Sequence, residues 1–335
     1  MVFTVAAFSA VLVGAHQPRP AAQPIVIAHR GASGYLPEHT LAAYELAVAQ
    51  GADFIEPDLV STKDHVLIAR HEQNITETTD VSARPEYAKR KTTRSIDGVT
   101  ETGWFADDFT LAEIKTLRAR QRIPSRPRLF DGTFEIPTFE EVVALAKRLA
   151  ASSGRAIGVY PETKHPSYHV KRGLPLEVPL LAVLKKAGWD RRDAPVFIQS
   201  FEPTNLRALR KSTTVRLVQL VGDGATDAVA PAGLRAIAEY ANGVGPAKRL
   251  LVNAQGRAND VVKQAHAAGL FVHVWTLRNE SATLLAAYEG DPIKEYLQYF
   301  CLGVDGVFSD FPDTAHTARE MFRLTTRACQ VAKAS

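Results

Sequence analysis

Between Ile25 and Glu72 one pattern recurs: a short apolar run that ends on charged or imidazole side chains. IVIA runs into His29-Arg30, DFI into Glu56 and Asp58, and VLIAR into His71-Glu72. Side chains alternate faces along a strand. Ile25, Ile27 and His29 therefore share a face, as do Phe54, Glu56 and Asp58, and Leu67, Ala69 and His71. In each run the apolar residues lead and the reactive residue arrives last. Strand ends of this kind are where an αβ barrel carries its catalytic groups, above a packed interior. Leu41, Tyr44, Leu46 and Val48 give an apolar face to a helix between Thr40 and Gly51, and Gly51 suits its left-handed end. Strand, Gly31-to-Gly34 loop, helix and strand make a βαβ unit.

The rhythm resumes at Pro137. Strands are expected in AIGVYPETK, PVFIQSF, VRLVQLV, GVGPAKRLL, LFVHVWTLR and GVDGVFSDFP. Helices are expected in TFEEVVALAKRLA (capped by Thr138), 176–188, 203–211, PAGLRAIAEYAN, 259–268, from 281–288 onward, and 313–323. About eight strands alternating with helices predict a parallel sheet closed into a (βα)8 TIM barrel, here over residues 24–325. The 335 residues, 46% hydrophobic, suffice for one such core. A doubly wound open sheet is the competing architecture, but no GxGxxG follows the first strand.

Residues 73–125 break the rhythm and are too long for a βα loop of about 2–6 residues. They are read as an inserted lid or subdomain after the second strand. Thr110 and Glu113 have capping-box spacing. Arg84 to Arg94 and Arg118 to Arg128 are rich in basic residues, read as a solvated face in preference to a polyanion contact. Net charge is only +4, and no nucleic-acid motif is present.

The first fifteen residues are apolar and small, and Val13-Gly14-Ala15 fits a cleavage site, so 1–15 read as a secretory signal. No Lys or Arg precedes Arg19, so a disordered apolar tail is the other reading. A periplasmic or secreted location follows from the signal. No apolar run reaches the ~20 residues of a membrane span. Cys301 and Cys329 permit one disulfide or two buried thiols. Oligomeric state is not encoded in any pattern here.

The chemistry is carried by strand ends. Glu56, Asp58 and Glu162 would repel one another if ionised together. A divalent cation resolves this, and an all-oxygen set favours Ca²⁺ or Mg²⁺ over Zn²⁺. Pro57 is tolerable only where sheet pairing ends. His29 and His71 are the acid–base pair candidates. Arg30 and Lys164 supply cations for phosphate oxygens. Glu38 has three open readings: capping the helix, orienting Arg30 or approaching the metal. Gln199 and Trp275, with Phe201, shape a polyol pocket, although core packing is the plainer role for Phe201. His273 falls on an inward face and is read as lining the pocket. His39, His65, His165 and His169 have weaker context.

HRGASGYLPEHT, GADFIEPDLVSTKDHVLIARHE, YPETK, QSF, VWTLR and GVDGVFSDFP together resemble the glycerophosphodiester phosphodiesterase family, bacterial periplasmic type, over roughly residues 24–325. The resemblance implies a (βα)8 barrel and metal-dependent hydrolysis of small glycerophosphodiesters to sn-glycerol 3-phosphate and an alcohol. It implies His29 and His71 as catalytic, Glu56, Asp58 and Glu162 as metal ligands, and Arg30 and Lys164 near the phosphate. It also implies a cyclic phosphate route. Glu72 stands where the family usually has Asp. Two rivals are a phospholipase D-like or phosphoinositide-cleaving enzyme on the same barrel, with Trp104-Phe105 on its rim, and a non-catalytic surface-binding barrel.

Overall fold

The computed structural model describes residues 23–324 and Cys329, so the expected signal at 1–15 lies outside it. In chain order, β1 (Ile25–His29), α1 (Leu41–Ala49), β2 (Phe54–Glu56), β3 (Asp58–Ser61) and β4 (Leu67–Ala69) come first. The hairpin β5 (Thr92–Ile96) and β6 (Val99–Gly103) and the short helix α2 (Leu111–Ile114) follow. After α3 (Phe139–Ser153) come β7 (Gly158–Val159), β8 (Glu162–Thr163), β9 (Phe197–Ser200), β10 (Arg216–Val221), β11 (Gly243–Pro246), β12 (Phe271–Leu277) and β13 (Gly306–Ser309).

The barrel closes because β1 pairs in parallel with both β13 and β2. From there the ring runs through β2 to β7, β3 to β8, and β8 to β9, and onward through β10, β11 and β12 back to β13. Eight staves result, because β2 and β3 are one stave interrupted at Pro57, and β7 and β8 one stave interrupted at Tyr160-Pro161. Proline has no N–H for the ladder, yet its carbonyl still serves. Pro57 O accepts from Glu162 N and Pro161 O from Gln199 N, each at 2.9 Å. Strand register is therefore carried through both breaks.

Two expectations are corrected. VLIAR is not a barrel stave: β4 runs antiparallel to β3, Ser61 facing Leu67 and Leu59 facing Ala69. β3 overshoots the rim, the chain turns at residues 62–66, and β4 descends to bring His71 back to the mouth. An apolar run with a terminal histidine carries no information about strand direction. Second, 281–288 forms only short 3₁₀ turns, Ser281–Thr283 and Ala286–Tyr288. The helix starts at Pro292, where the Asp291 carboxylate accepts from Ile293 N at 2.9 Å. An Asp N-cap followed by Pro is the stronger start signal.

Beneath the mouth, the barrel is plugged by Ile27, Tyr160, Phe197, Val218 and Phe308. Tyr160 stacks on Phe197 at 4.9 Å and meets Phe308 edge-on at 4.9 Å. Each fully buried side chain of this size contributes about 1.5–3 kcal/mol, and the plug gives the site an apolar floor. The chain between β4 and α3 packs around its own core, including Ile75, Val81, Tyr87, Trp104, Phe109 and Ile114. Its hairpin turns on Asp97-Gly98, both at positive φ (49° and 83°), the two-residue turn that suits strand twist. Cys301 and Cys329 form a disulfide, Cα atoms 5.2 Å apart. Among the described residues no helix is long and apolar enough to cross a membrane.

Candidate active site

Strand register assembles the site. His29 lies opposite Glu56, Asp58 opposite Glu162, and Glu162 opposite Gln199. The mouth holds a cavity of about 110 Å³ lined by His29, Arg30, Glu56, His71, Glu162, Lys164, Gln199 and Trp275. Asp58 is buried among them, and Glu38 stands behind Arg30.

The turn after β1 is built for this placement. Arg30 has φ +63°, a conformation uncommon outside glycine. Its backbone N–H is held by a Glu56 carboxylate oxygen at 2.8 Å. Gly31 follows at φ +85°, and a Cβ there would lie 2.7 Å from the backbone carbon of Ala43. HRG is thus a steric requirement as well as a chemical one. The Arg30 guanidinium meets Glu38 at 3.2 Å and Asp58 at 3.3 Å. Of the readings for Glu38, the cap is excluded: Thr40 caps α1, accepting from Ala43 N at 3.1 Å. Glu38 instead anchors Arg30 and Arg122, the latter also at 3.2 Å.

Glu56, Asp58 and Glu162 present ligand atoms within 4.8 Å of one another, all buried. Burial, then the Asp58 and Glu162 charges, push Glu56 well above the usual carboxylate range. Burial likewise pushes Glu162 up to about 8, against the pull of Lys164 3.0 Å away. Burial would raise Asp58 too, but His71, Lys164, His39 and Arg30 outweigh it and hold it low. One Asp58 oxygen, Oδ1, and the Gln199 carbonyl oxygen are buried without a partner. Two strained carboxyls, an orphaned carboxylate oxygen and an all-oxygen donor set fit a divalent cation.

The two histidines share one arrangement. His29 Nδ1 lies 2.6 Å from Asp310, and His71 Nδ1 lies 2.5 Å from Glu72. A carboxylate only accepts, so each Nδ1 carries the proton and each Nε2 is left as a base. Burial first, and Arg30 second, lower His29 to about 4 and His71 to about 3. Lys164 Nζ approaches His71 Nε2 at 3.3 Å.

Other readings change. The Gln199 amide nitrogen donates to Glu56 at 2.9 Å, so it orients a carboxylate and offers only its oxygen to the cavity. The Trp275 indole N–H is engaged by Gly245 O at 2.6 Å, leaving the ring for the cavity. Phe201 is not core: it is 42% exposed and meets Trp275 edge-on at 5.6 Å. His273 does not line the cavity; it sits in the barrel plug, 2.9 Å from the Tyr160 hydroxyl. Trp104 and Phe105 are buried in the segment between β4 and α3, so they form no apolar rim. The basic stretches are a solvated face only in part: Lys89, Lys91 and Arg128 are exposed, but others are engaged. Arg90 pairs with Glu113, Arg94 with Asp107 and Asp108, and Arg126 reaches the buried Asp310 at 2.5 Å.

Sequence reading passed over Asp310, took Arg126 for one of a basic cluster and gave His39 only weak context. Asp310 lay inside GVDGVFSDFP, expected as strand throughout; β13 ends at Ser309, which puts Asp310 one residue past the strand end. His39 is fully buried between Asp58 (2.9 Å) and the Tyr44 hydroxyl (2.8 Å), and its φ of +58° hides it from strand or helix periodicity.

A family model described as the glycerophosphoryl diester phosphodiesterase family matches residues 29–314. A glycerophosphodiester phosphodiesterase of Arabidopsis thaliana is 37% identical, over 91% of this chain and 88% of its own. One from Haemophilus influenzae is 33% identical, over 87% and 88%. Among solved structures, an Oleispira antarctica phosphodiesterase in complex with the product sn-glycerol-3-phosphate superposes with a TM-score of 0.62 at 24% identity, covering 89% of this chain and 97% of that one. With the barrel, the acidic triad and the paired histidines in place, these matches make the chain a member of the glycerophosphoryl diester phosphodiesterase family.

Proposed function

We propose that the mouth of this barrel hydrolyses small glycerophosphodiesters to sn-glycerol 3-phosphate and a free alcohol, with His29 and His71 moving the protons. The carrying observation is the matched pair: two imidazoles on one cavity, each with Nδ1 on a carboxylate, which leaves Nε2 as the base, beside Arg30 and Lys164. The product bound by the Oleispira antarctica relative supports the same substrate class. Glu56, Asp58 and Glu162 would hold the divalent cation. Calcium is the first choice and magnesium the second, either supplying positive charge against the phosphoryl oxygens. The lipid-surface rival loses its main support with the burial of Trp104 and Phe105.

Among the described residues no activated nucleophile is offered: the Ser309 hydroxyl bonds Tyr296 at 2.5 Å, away from the cavity. The substrate's own 2-hydroxyl is adjacent to the phosphate. His29 Nε2 takes its proton, the oxygen attacks phosphorus, the bond to the head-group oxygen breaks, and His71 Nε2 protonates the leaving alcohol. Water then opens the cyclic phosphate with the roles exchanged. An oriented intramolecular attack is worth about 7–11 kcal/mol against its bimolecular reference. The free-state depression of His71 partly reflects Arg30 and Lys164. A phosphodiester anion beside those cations raises His71 toward its working range, and Glu72 stabilises the imidazolium.

The deciding experiment is a diester lacking the 2-hydroxyl. It is expected to inhibit competitively and not to turn over; turnover near the natural rate would refute the cyclic route. Chelation is expected to abolish release of glycerol phosphate and lower the melting temperature, with Ca²⁺ or Mg²⁺ restoring both. Full activity and unchanged melting in metal-free protein would remove the metal from the reading. We also propose export to the periplasm or medium, supported by the 1–15 segment and by the Cys301–Cys329 disulfide, which an oxidising compartment maintains. Mass spectrometry of the mature N-terminus checks it; an intact Met1 in the cytoplasmic fraction would count against export.

A further inference from the structure

Arg70 is fully buried, and among the described residues no carboxylate pairs with it. Its guanidinium donates to backbone carbonyls instead: Ala69 at 2.6 Å, Thr78 at 3.1 Å, Glu38 at 2.9 Å and His39 at 2.8 Å. A buried charge without a counter-charge is costly. What it secures here is geometric. The Arg70 backbone N–H donates to Asp58 O at 2.9 Å while its side chain holds His39 O. One residue thus grips β3 and the turn before α1 at the same time.

His39 spans the same gap with its ring. Its backbone, at φ +58°, donates to Arg30 O at 3.0 Å. The ring has no exposure, with Nε2 2.9 Å from Asp58 Oδ2 and Nδ1 2.8 Å from the buried Tyr44 hydroxyl. A carboxylate only accepts, so the proton on Nε2 faces Asp58. The Asp58 carboxylate has a competing attraction. Arg30 Nε stands 3.3 Å from the same Oδ2 and is itself buried without a hydrogen bond. If Nε2–H were lost, the carboxylate would be free to turn onto that guanidinium. With Nε2–H present, Oδ2 is fixed, and Oδ1 is the oxygen left without a partner in the triad with Glu56 and Glu162.

We propose that His39 is a positioning residue, which fixes the Asp58 carboxylate in the orientation that a cation requires, and that Arg70 sets the spacing between His39 and Asp58. The proposal rests on the reading of Glu56, Asp58 and Glu162 as the cation site, and its test separates the two. Groups that orient a metal ligand change affinity about 10–100-fold when removed.

The test is calorimetric titration of the metal-free protein with Ca²⁺, without substrate. His39→Leu fills the site without a donor and is expected to weaken Ca²⁺ binding about 10–100-fold. His39→Gln brings an amide N–H near the place of Nε2 and should recover most of that loss. Arg70→Lys keeps the charge but not the planar fork, and should weaken binding several-fold, less than His39→Leu does. Tyr299→Phe is the control for stability alone. It removes a buried hydroxyl that donates to Lys248 O at 2.9 Å, so it should lower the melting temperature and leave Ca²⁺ affinity where it was. Wild-type affinity in His39→Leu overturns the proposal. So does a His39→Gln that binds no better than His39→Leu, or a Tyr299→Phe that loses as much affinity, because general loosening would then explain the effect. If His39→Leu does not fold, Arg70→Lys decides, and wild-type affinity there overturns the proposal. A wild-type protein that binds neither Ca²⁺ nor Mg²⁺ refutes the cation site, and the positioning role with it.

Discussion

His29 donates its Nδ1–H to Asp310, whose side chain is 2% exposed and whose second oxygen is met by Arg126 at 2.5 Å and Arg278 at 2.7 Å. His71 donates its own Nδ1–H to Glu72, which is 36% exposed and among the described residues has only His165, at 3.6 Å, as a further ion-pair partner. The same imidazole–carboxylate unit is thus built once in the interior and once at the surface. Burial by itself would raise the Asp310 carboxyl, yet His29, Arg278 and Arg126 hold it well below the usual range. The interior pair is over-determined, because three cationic or imidazole groups, the buried Arg126, the half-buried Arg278 and His29, converge on one buried carboxylate. The surface pair is adjustable, which suits an acid that must reach the oxygen of a departing alcohol. Both pairs also reach into the segment between β4 and α3, through Arg126 on one side and through His165 to Asp97 (2.5 Å) on the other. That segment supports the mouth from two directions.

The contrast should break hardest at Asp310→Asn. The amide cannot hold the Nδ1–H tautomer in the same way, Arg278 loses its carboxylate, and Arg126 keeps only Glu280. We expect kcat to fall about 10³-fold, with a loss of about 3–5 kcal/mol in stability. Steady-state kinetics and urea denaturation read the two effects; retention of both wild-type values would show that burial adds nothing to this pair. Arg126→Met is next. Arg278 still holds Asp310, so kcat should drop about tenfold and stability by about 1–3 kcal/mol. If the chain instead melts like Asp310→Asn, Arg126 is the main anchor and the network is less redundant than its distances imply.

Glu72→Gln tests the surface pair. A half-exposed carboxylate is screened, so we expect a stability change below about 1 kcal/mol and a loss of no more than about tenfold in kcat. A loss as large as that of Asp310→Asn would abolish the distinction between the two sites. The last effect is absent at neutral pH and concerns a histidine with no carboxylate at all. Burial, then Arg216, lower His273 to about 3. Between an unfolded value near 6.5 and that folded value, the unfolded chain binds the proton and the folded one does not. Stability therefore falls as pH drops through this window and is spared above it. At pH 4.5 the cost is up to about 2–3 kcal/mol. His273→Gln should lose that part of the difference between pH 7 and pH 4.5 in denaturation curves. An unchanged difference would mean that His273 is protonated in the folded protein.

Much of the site was readable because barrel strands have a simple grammar. Alternation put Phe54 in the plug and Glu56 and Asp58 in the mouth, and did the same for Tyr160 and Glu162 and for Phe197 and Gln199. What alternation cannot supply is direction and partner. VLIAR had the composition of a stave and runs the opposite way. Glu38 had three roles open until Thr40 was seen to cap α1. Arg126 read as one of a basic cluster because its partners, Glu280 and Asp310, are more than 150 residues away in the chain.

The sequence alone determined the (βα)8 alternation and the set of carboxylates and imidazoles at strand ends, since these follow from local periodicity. Only the tertiary structure decided which carboxylate backs which histidine, that β4 turns back to deliver His71, that Cys301 meets Cys329, and that the Ala43 backbone leaves no room for a side chain at Gly31. Those outcomes depend on burial and on contacts between distant segments. The energy of a buried charge is set by what surrounds it in space, and nothing in the local order of residues records that.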